Sequence, residues 1–166
     1  LLSKAKVRPE KIHAIGVTGM LPAVVLLDSS GKVLRPSIQQ SDGRCGEQVQ
    51  ELKSEFEEND FIKKTGNGIN QQLVAAKLRW IEKHEPEIFA QISTVFGSYD
   101  FINWKLTGKK AVEQNWALEA GFINTATGLI SDELVSIGHI PRTAIPRKIA
   151  SHSILGKVNK DAAKAT

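Results

Sequence analysis

Residues 12–28 read IHAIGVTGMLPAVVLLD, and the order of side chains in this stretch decides the fold class. Residues 12–19 (IHAIGVTG) alternate β-branched with smaller or polar residues and stop at a glycine, the pattern of a strand. Residues 23–28 (AVVLLD) are apolar almost throughout, so this second strand is expected to be buried on both faces. Met20, Leu21 and Pro22 form the turn between them. The run DSSG at 28–31 is turn chemistry, and residues 32–35 continue as a short return strand, so the spacing predicts a hairpin. A strand buried on both faces needs a layer of structure on each side.

Helical signals occupy the rest of the chain. Residues 47–56 place Val49, Leu52 and Phe56 on one face, and residues 71–84 align Leu73, Ala76, Lys77 and Trp80. Residues 36–44 read as a loop, as do residues 64–70 with their two glycines. Pro86 suits the first turn of the helix PEIFAQI, because proline there sacrifices no hydrogen bond. Residues 94–96 read as a strand, and residues 99–107 as a helix closed by Gly108. Residues 120–124 are read as extended, and Ser131 caps the short helix SDELVSI. The tail carries a strand-like IASHSILG (149–156) and a helix-forming NKDAAKAT (159–166), while residues 1–7 read as the last turn of a helix. Strands alternate with helices, so the fold class is α/β.

The chain has 166 residues, 22 Lys+Arg and 18 Asp+Glu, for a net charge of +4; apolar residues make up 41% and charged residues 24%. These proportions are those of an ordinary globular domain and argue against disorder, collagen and coiled coil. No apolar run approaches the roughly 18–20 residues of a membrane span. The polar, proline-broken opening LLSKAKVRPEK does not read as a secretory leader, and none is expected. The excess charge is local: residues 141–166 hold six basic residues and one acid, but no aromatic. Nucleic-acid binders interleave the two, so neither nucleic acid nor membrane is expected as a partner.

The single cysteine, Cys45, permits no internal disulfide and no multi-cysteine zinc site, and a reducing cytoplasm is the expected compartment. Cys45 precedes a helix whose N-terminus could lower its pKa, although a small buried residue is the commoner role. His13, His84, His139 and His152 lie far apart in sequence. There is no GxxxxGK[ST], GxGxxG or GxSxG, and TGNG and TGKK read as turns or helix C-caps. Asp42, in the polar loop QQSDGR, sits where scaffolds present functional groups, and it is also a residue type that turns use.

The whole chain resembles the amino-terminal domain of the FGGY carbohydrate kinases, and within them the xylulokinase-like branch. AIGVTGMLPAVVLLD (14–28) is similar to the family's strand, substrate turn and strand, and VLRPSIQQSDGR (33–44) to its VLRPAILWNDGR. KLRWIEKHEPE (77–87) and SYDFINWKLTG (98–108) resemble KLLWLREHEPE and PKDYLRWKLTG. Residues 131–134 and 146–156 fall where the family has a WSDELL-like helix and an SxxxG strand.

The resemblance implies a partial ribonuclease-H-like, actin-like ATPase domain: a mixed sheet with flanking helices. It implies an enzyme that closes two domains around ATP, Mg²⁺ and a sugar or polyol and passes the γ-phosphoryl group to a hydroxyl. The family's DxGT strand has no counterpart here, and its catalytic-base aspartate falls past Thr166. Residues 1–166 are therefore expected to be an incomplete amino-terminal domain without the later ATP-binding domain. Such a chain would be inactive alone and hold no catalytic residue, no metal and no cofactor. Its partners would be the sugar or polyol and the rest of the kinase polypeptide, with a homodimer also open to it.

By position, Met20, Leu21, Pro22, Gln40, Ser41 and Asp42 would line the sugar, with Gln72 and Trp116 as further members. Arg44 would brace the loop by pairing with a carboxylate. The ring of Trp116 could stack on a sugar or pack in the core. Leu21-Pro22 stands where xylulokinases have Met-His and glycerol kinases Arg-Glu, and Gln40 replaces a tryptophan. Leucine and proline offer no side-chain hydrogen bond, so xylulose is expected to be a poor substrate. A non-catalytic binding or interaction module of the same fold is the alternative.

Overall fold

The computed structural model describes residues 2–165. Helix α1 is Leu2–Ala5, while Leu1 lies outside the described residues. Strand β1, Val25–Leu27, is the centre of the molecule. It is followed by helices α2 (Gly46–Glu55), α3 (Glu58–Thr65), α4 (Val74–His84) and α5 (Pro86–Phe89), then strand β2 (Thr94–Phe96) and helix α6 (Ser98–Thr107). Next come β3 (Val112–Glu113), α7 (Gln114–Glu119), β4 (Ile123–Asn124), β5 (Leu129–Ile130), α8 (Asp132–Ser136), β6 (Lys148–Ile149) and α9 (Lys160–Ala165). Among the described residues no helix is long and apolar enough to cross a membrane.

β1 runs antiparallel to β2, with Val25 opposite Phe96 and Leu27 opposite Thr94. On its other side β1 is bridged by Val33 and, through Val24, by Ile38. Both edges are thus occupied, and every residue of 22–27 is buried, as the apolar run predicts. The core on this side gathers Leu26, Leu27 and Phe96 with Val74, Leu78 and Ile81 of α4 and with Trp116 and Phe122. The opposite side of α4 enters a second cluster with Cys45, Val49, Leu52, Phe61 and Leu134. Sandwiched between two cores, α4 is buried on nearly all sides, and Lys77 and Arg79 are buried with it.

The fold class is α/β and the sheet is mixed in direction, but it consists of three separate pairs among the described residues. β3 and β6 pair in parallel; β4 and β5 pair antiparallel. Several expectations are corrected. Residues 12–19 form no strand: both edges of β1 are taken, and no strand among the described residues pairs with them. The return strand at 32–35 shrinks to the bridge at Val33. The strand expected at 149–156 is limited to Lys148–Ile149, and Ile154 stands 91% exposed. Helices α3 and α7 were not expected. α3 is closed at its start by the Glu57 carboxylate, which accepts from Asn59 N and Asp60 N, and at its end by left-handed Gly66. The expected helix at the tail is α9, with Thr166 outside the described residues.

Candidate functional site

The 20–22 turn and the 39–44 loop lie side by side, joined at their base by the Val24–Ile38 backbone pair. Met20 is 55% exposed, Leu21 is half-buried against the core, and Pro22, after a cis peptide bond, is buried. Three helices hold the turn by its carbonyls. Ser98 Oγ of α6 donates to Met20 O at 3.2 Å, Lys77 Nζ of α4 to Pro22 O at 3.4 Å, and Trp116 Nε1 of α7 to Ala23 O at 2.9 Å. Carbonyls engaged in this way are poorer acceptors for a ligand, so the turn offers a mostly apolar surface.

Trp116 is fully buried, in a T-shaped contact with Phe122. Of the two roles open to it, the ring takes the packing one: it braces the turn from behind. Gln40 is half-buried, and Ser41 and Gln72 are exposed. Gln72 is fixed by its backbone N–H to Asn70 Oδ1, and it adjoins the loop because Cys45 Sγ lies 3.6 Å from the Gln71 carbonyl. The turn that carries Met20 and Leu21 is therefore a backbone neighbour of the loop that carries Gln40, Ser41 and Asp42.

Asp42 takes three hydrogen bonds from Arg44: Oδ1 accepts from the backbone N at 3.1 Å and from Nε at 2.9 Å, and Oδ2 accepts from Nη2 at 2.8 Å. The guanidinium lies 4.7 Å above the Trp80 ring. Arg44 thus braces the loop as expected, and its partner is Asp42 itself. The hydrogen-bonded guanidinium holds the Asp42 carboxyl at about 2. An ionised carboxylate has about four acceptor positions, so roughly one remains for a ligand hydroxyl.

Lys77 is the member that sequence reasoning missed. It is fully buried, and besides Pro22 O its Nζ approaches Gln39 O at 2.8 Å and Gln40 O at 3.5 Å. Burial lowers its pKa, opposed by the fields of Cys45 and Asp42. The available signal was a lysine inside an otherwise apolar helix stripe. Cys45 is also fully buried, and desolvation pushes its thiol up, which overturns the lowered pKa that a helix N-terminus could have given.

The first glycine of TGNG and the glycine of TGKK behave as C-caps: Gly66 and Gly108 are left-handed and close α3 and α6. A helix C-terminus carries partial negative charge and is a poor cradle for phosphate. Among the described residues no group of three or more His, Cys, Asp or Glu could hold a metal ion.

Comparison with known proteins identifies the family. The N-terminal domain of the FGGY family of carbohydrate kinases is matched over residues 1–166. A xylulose kinase of Escherichia coli (strain K12) is 31% identical over 94% of this chain and 32% of its own length. A glycerol kinase of Thermococcus gammatolerans is 32% identical over 96% of this chain and 33% of its own. The crystal structure of xylulose kinase from Rhodospirillum rubrum superposes with a TM-score of 0.93 at 54% identity, covering 98% of this chain and 35% of that one. The chain spans about a third of the length of these relatives.

Proposed function

The chain belongs to the FGGY family of carbohydrate kinases, and from that premise we propose that it supplies one wall of the sugar pocket in an ATP- and Mg²⁺-dependent kinase. The observation that carries the reading is the adjacency of the 20–22 turn and the 39–42 loop, both of which give carbonyls to Lys77. We propose the partial ribonuclease-H-like layout for the domain, in a soluble cytoplasmic enzyme. The substrate is a sugar or polyol of the xylulose type or a relative of it.

In this reading the residues of the chain bind and orient. The open acceptor position of Asp42 takes a sugar hydroxyl, and Arg44 keeps that oxygen in place. Gln40, Ser41 and Gln72 supply amide and hydroxyl groups at the surface, while Met20 and Leu21 offer apolar contact to the C–H face of the sugar. Holding the accepting hydroxyl in one orientation lowers the entropic part of the barrier. Acceptance of its proton belongs to no residue of this wall.

The test is steady-state kinetics on the full-length protein with a panel of sugars and polyols. Asp42→Asn should raise the sugar KM about tenfold, lower kcat less and leave the ATP KM unchanged. Early unfolding with a normal sugar KM would make Asp42 a turn residue and sink its assignment. Xylulose should rank below the best substrate, since the Leu21-Pro22 turn gives its hydroxyls few partners; a wide lead for xylulose would overturn that argument.

A further inference from the structure

We propose that Lys77 is a positioning residue for sugar binding: its buried ammonium sets the gap between the 20–22 turn and the 39–42 loop. This rests on reading those two segments as the sugar wall. Lysine is almost never fully buried without a carboxylate partner, because desolvating an ammonium is costly. Arg79, two residues further along α4, follows that rule: its guanidinium meets Glu55 at 2.6 and 2.8 Å. The hydrogen bonds of Lys77 run instead to the main-chain oxygens of Pro22, Gln39 and Gln40.

The distribution of these oxygens gives Lys77 its role. One belongs to the turn and two belong to the loop. Ser98 and Trp116 hold the turn alone, by Met20 O and Ala23 O. Among the described residues, Lys77 is the side chain whose hydrogen bonds bridge turn and loop. Its backbone is fixed in a helix packed on both sides, so its tip is a stationary point from which both segments are measured. An uncharged side chain of equal length would fill the volume and leave three carbonyls without this donor. The two segments would then separate, and the sugar would meet a wider site.

The test uses the full-length protein and the best substrate of the sugar panel, with Lys77→Met, Lys77→Arg and Gln40→Ala. Lys77→Met should raise the sugar KM about tenfold or more and leave the ATP KM unchanged. Amide hydrogen exchange should quicken in residues 20–24 and 39–42, while β2 and α6 keep their protection. A lowered melting temperature with unchanged sugar KM would overturn the proposal. If Lys77→Met does not fold, Lys77→Arg carries the test, since it keeps the charge and donors but reaches further. A changed sugar KM at constant ATP KM supports the proposal, and two unchanged constants overturn it. A rise in sugar KM for Gln40→Ala without one for Lys77→Met would leave the wall standing and remove the clamp. No effect of either substitution on sugar KM would remove the wall itself.

Discussion

Asp100 is a carboxylate that the site does not use, and it governs how stability should vary with pH. It is 2% exposed and accepts from Gly97 N at 3.2 Å and Glu113 N at 2.9 Å. Burial raises its pKa to about 7, against the two backbone hydrogen bonds, with the nearby Glu113 charge adding to the rise. Although burial opposes it, hydrogen bonds from Ser151, Asn115 N, Tyr99 and Trp116 N together hold the Glu113 carboxyl low, so Glu113 stays ionised across neutral pH. The folded form of Asp100 thus binds its proton more tightly than the unfolded chain does. Stability linked to it is fully present below about pH 4 and is lost as pH rises through about 7. We expect the urea midpoint to fall over this window, by the equivalent of about 4 kcal/mol. Asp100→Asn should remove that slope while leaving the rest of the profile. Parallel pH profiles for the two proteins would show that Asp100 is ionised throughout. Asp42 acts elsewhere on the scale: its lowered pKa makes its contribution vanish only as pH falls toward about 2.

Between β2 and α6 the chain turns at Gly97, and the turn leaves no room for a side chain. A Cβ there would lie 2.5 Å from Trp116 Cδ1, 2.8 Å from Trp116 Cγ and 2.9 Å from Asp100 Oδ2. Trp116 is fully buried and cannot yield without displacing Phe122 and its hydrogen bond to Ala23 O. Gly97→Ala should therefore cost about 1–3 kcal/mol as an overpacking change. Gly16→Ala, where a Cβ meets nothing within 4 Å, should leave thermal unfolding almost unchanged. Equal melting temperatures for the two variants would contradict the packing argument. Elements with local signals were legible in the sequence. β2 forms at Thr94–Phe96, Gly108 closes α6, Pro86 opens α5, and the Ser131 hydroxyl caps α8. α3 was hidden because its residues are mostly polar and its closing glycine read as loop. Residues 12–19 have a strand's composition, but a strand also requires a free edge, which composition does not report. The turn and loop of the candidate site were legible as segments through family resemblance. Lys77 was not, because its three acceptors lie 37 to 55 residues away in sequence.

For the molecule as a whole, the decisive feature is how much strand-like, apolar surface the chain leaves open. Ile12 is 45% exposed, Ile15 52% and Ile154 91%, and residues 13–19 make no backbone hydrogen bond within the described residues. An extended β-branched segment with unpaired donors and acceptors is a template for pairing with another chain. The exposed Ile12 and Ile15 within it add an apolar contribution of about 1.5–3 kcal/mol for each one fully covered. In the relatives about two thirds of the polypeptide lies outside the matched span, so surface that is open here has more chain available to it there. We expect the isolated 166-residue chain to self-associate. Light scattering should show mass rising with concentration, and Ile12→Lys with Ile15→Lys should suppress the rise by placing charge on the segment. The substitutions lie away from both core clusters, so the melting temperature should stay within a few degrees, about what exposed positions cost. A monomer at high concentration without these changes would mean that residues 12–19 are self-protected, and the edge argument would fail. A monomer obtained only with them would identify this segment, rather than the basic tail, as the surface through which copies meet.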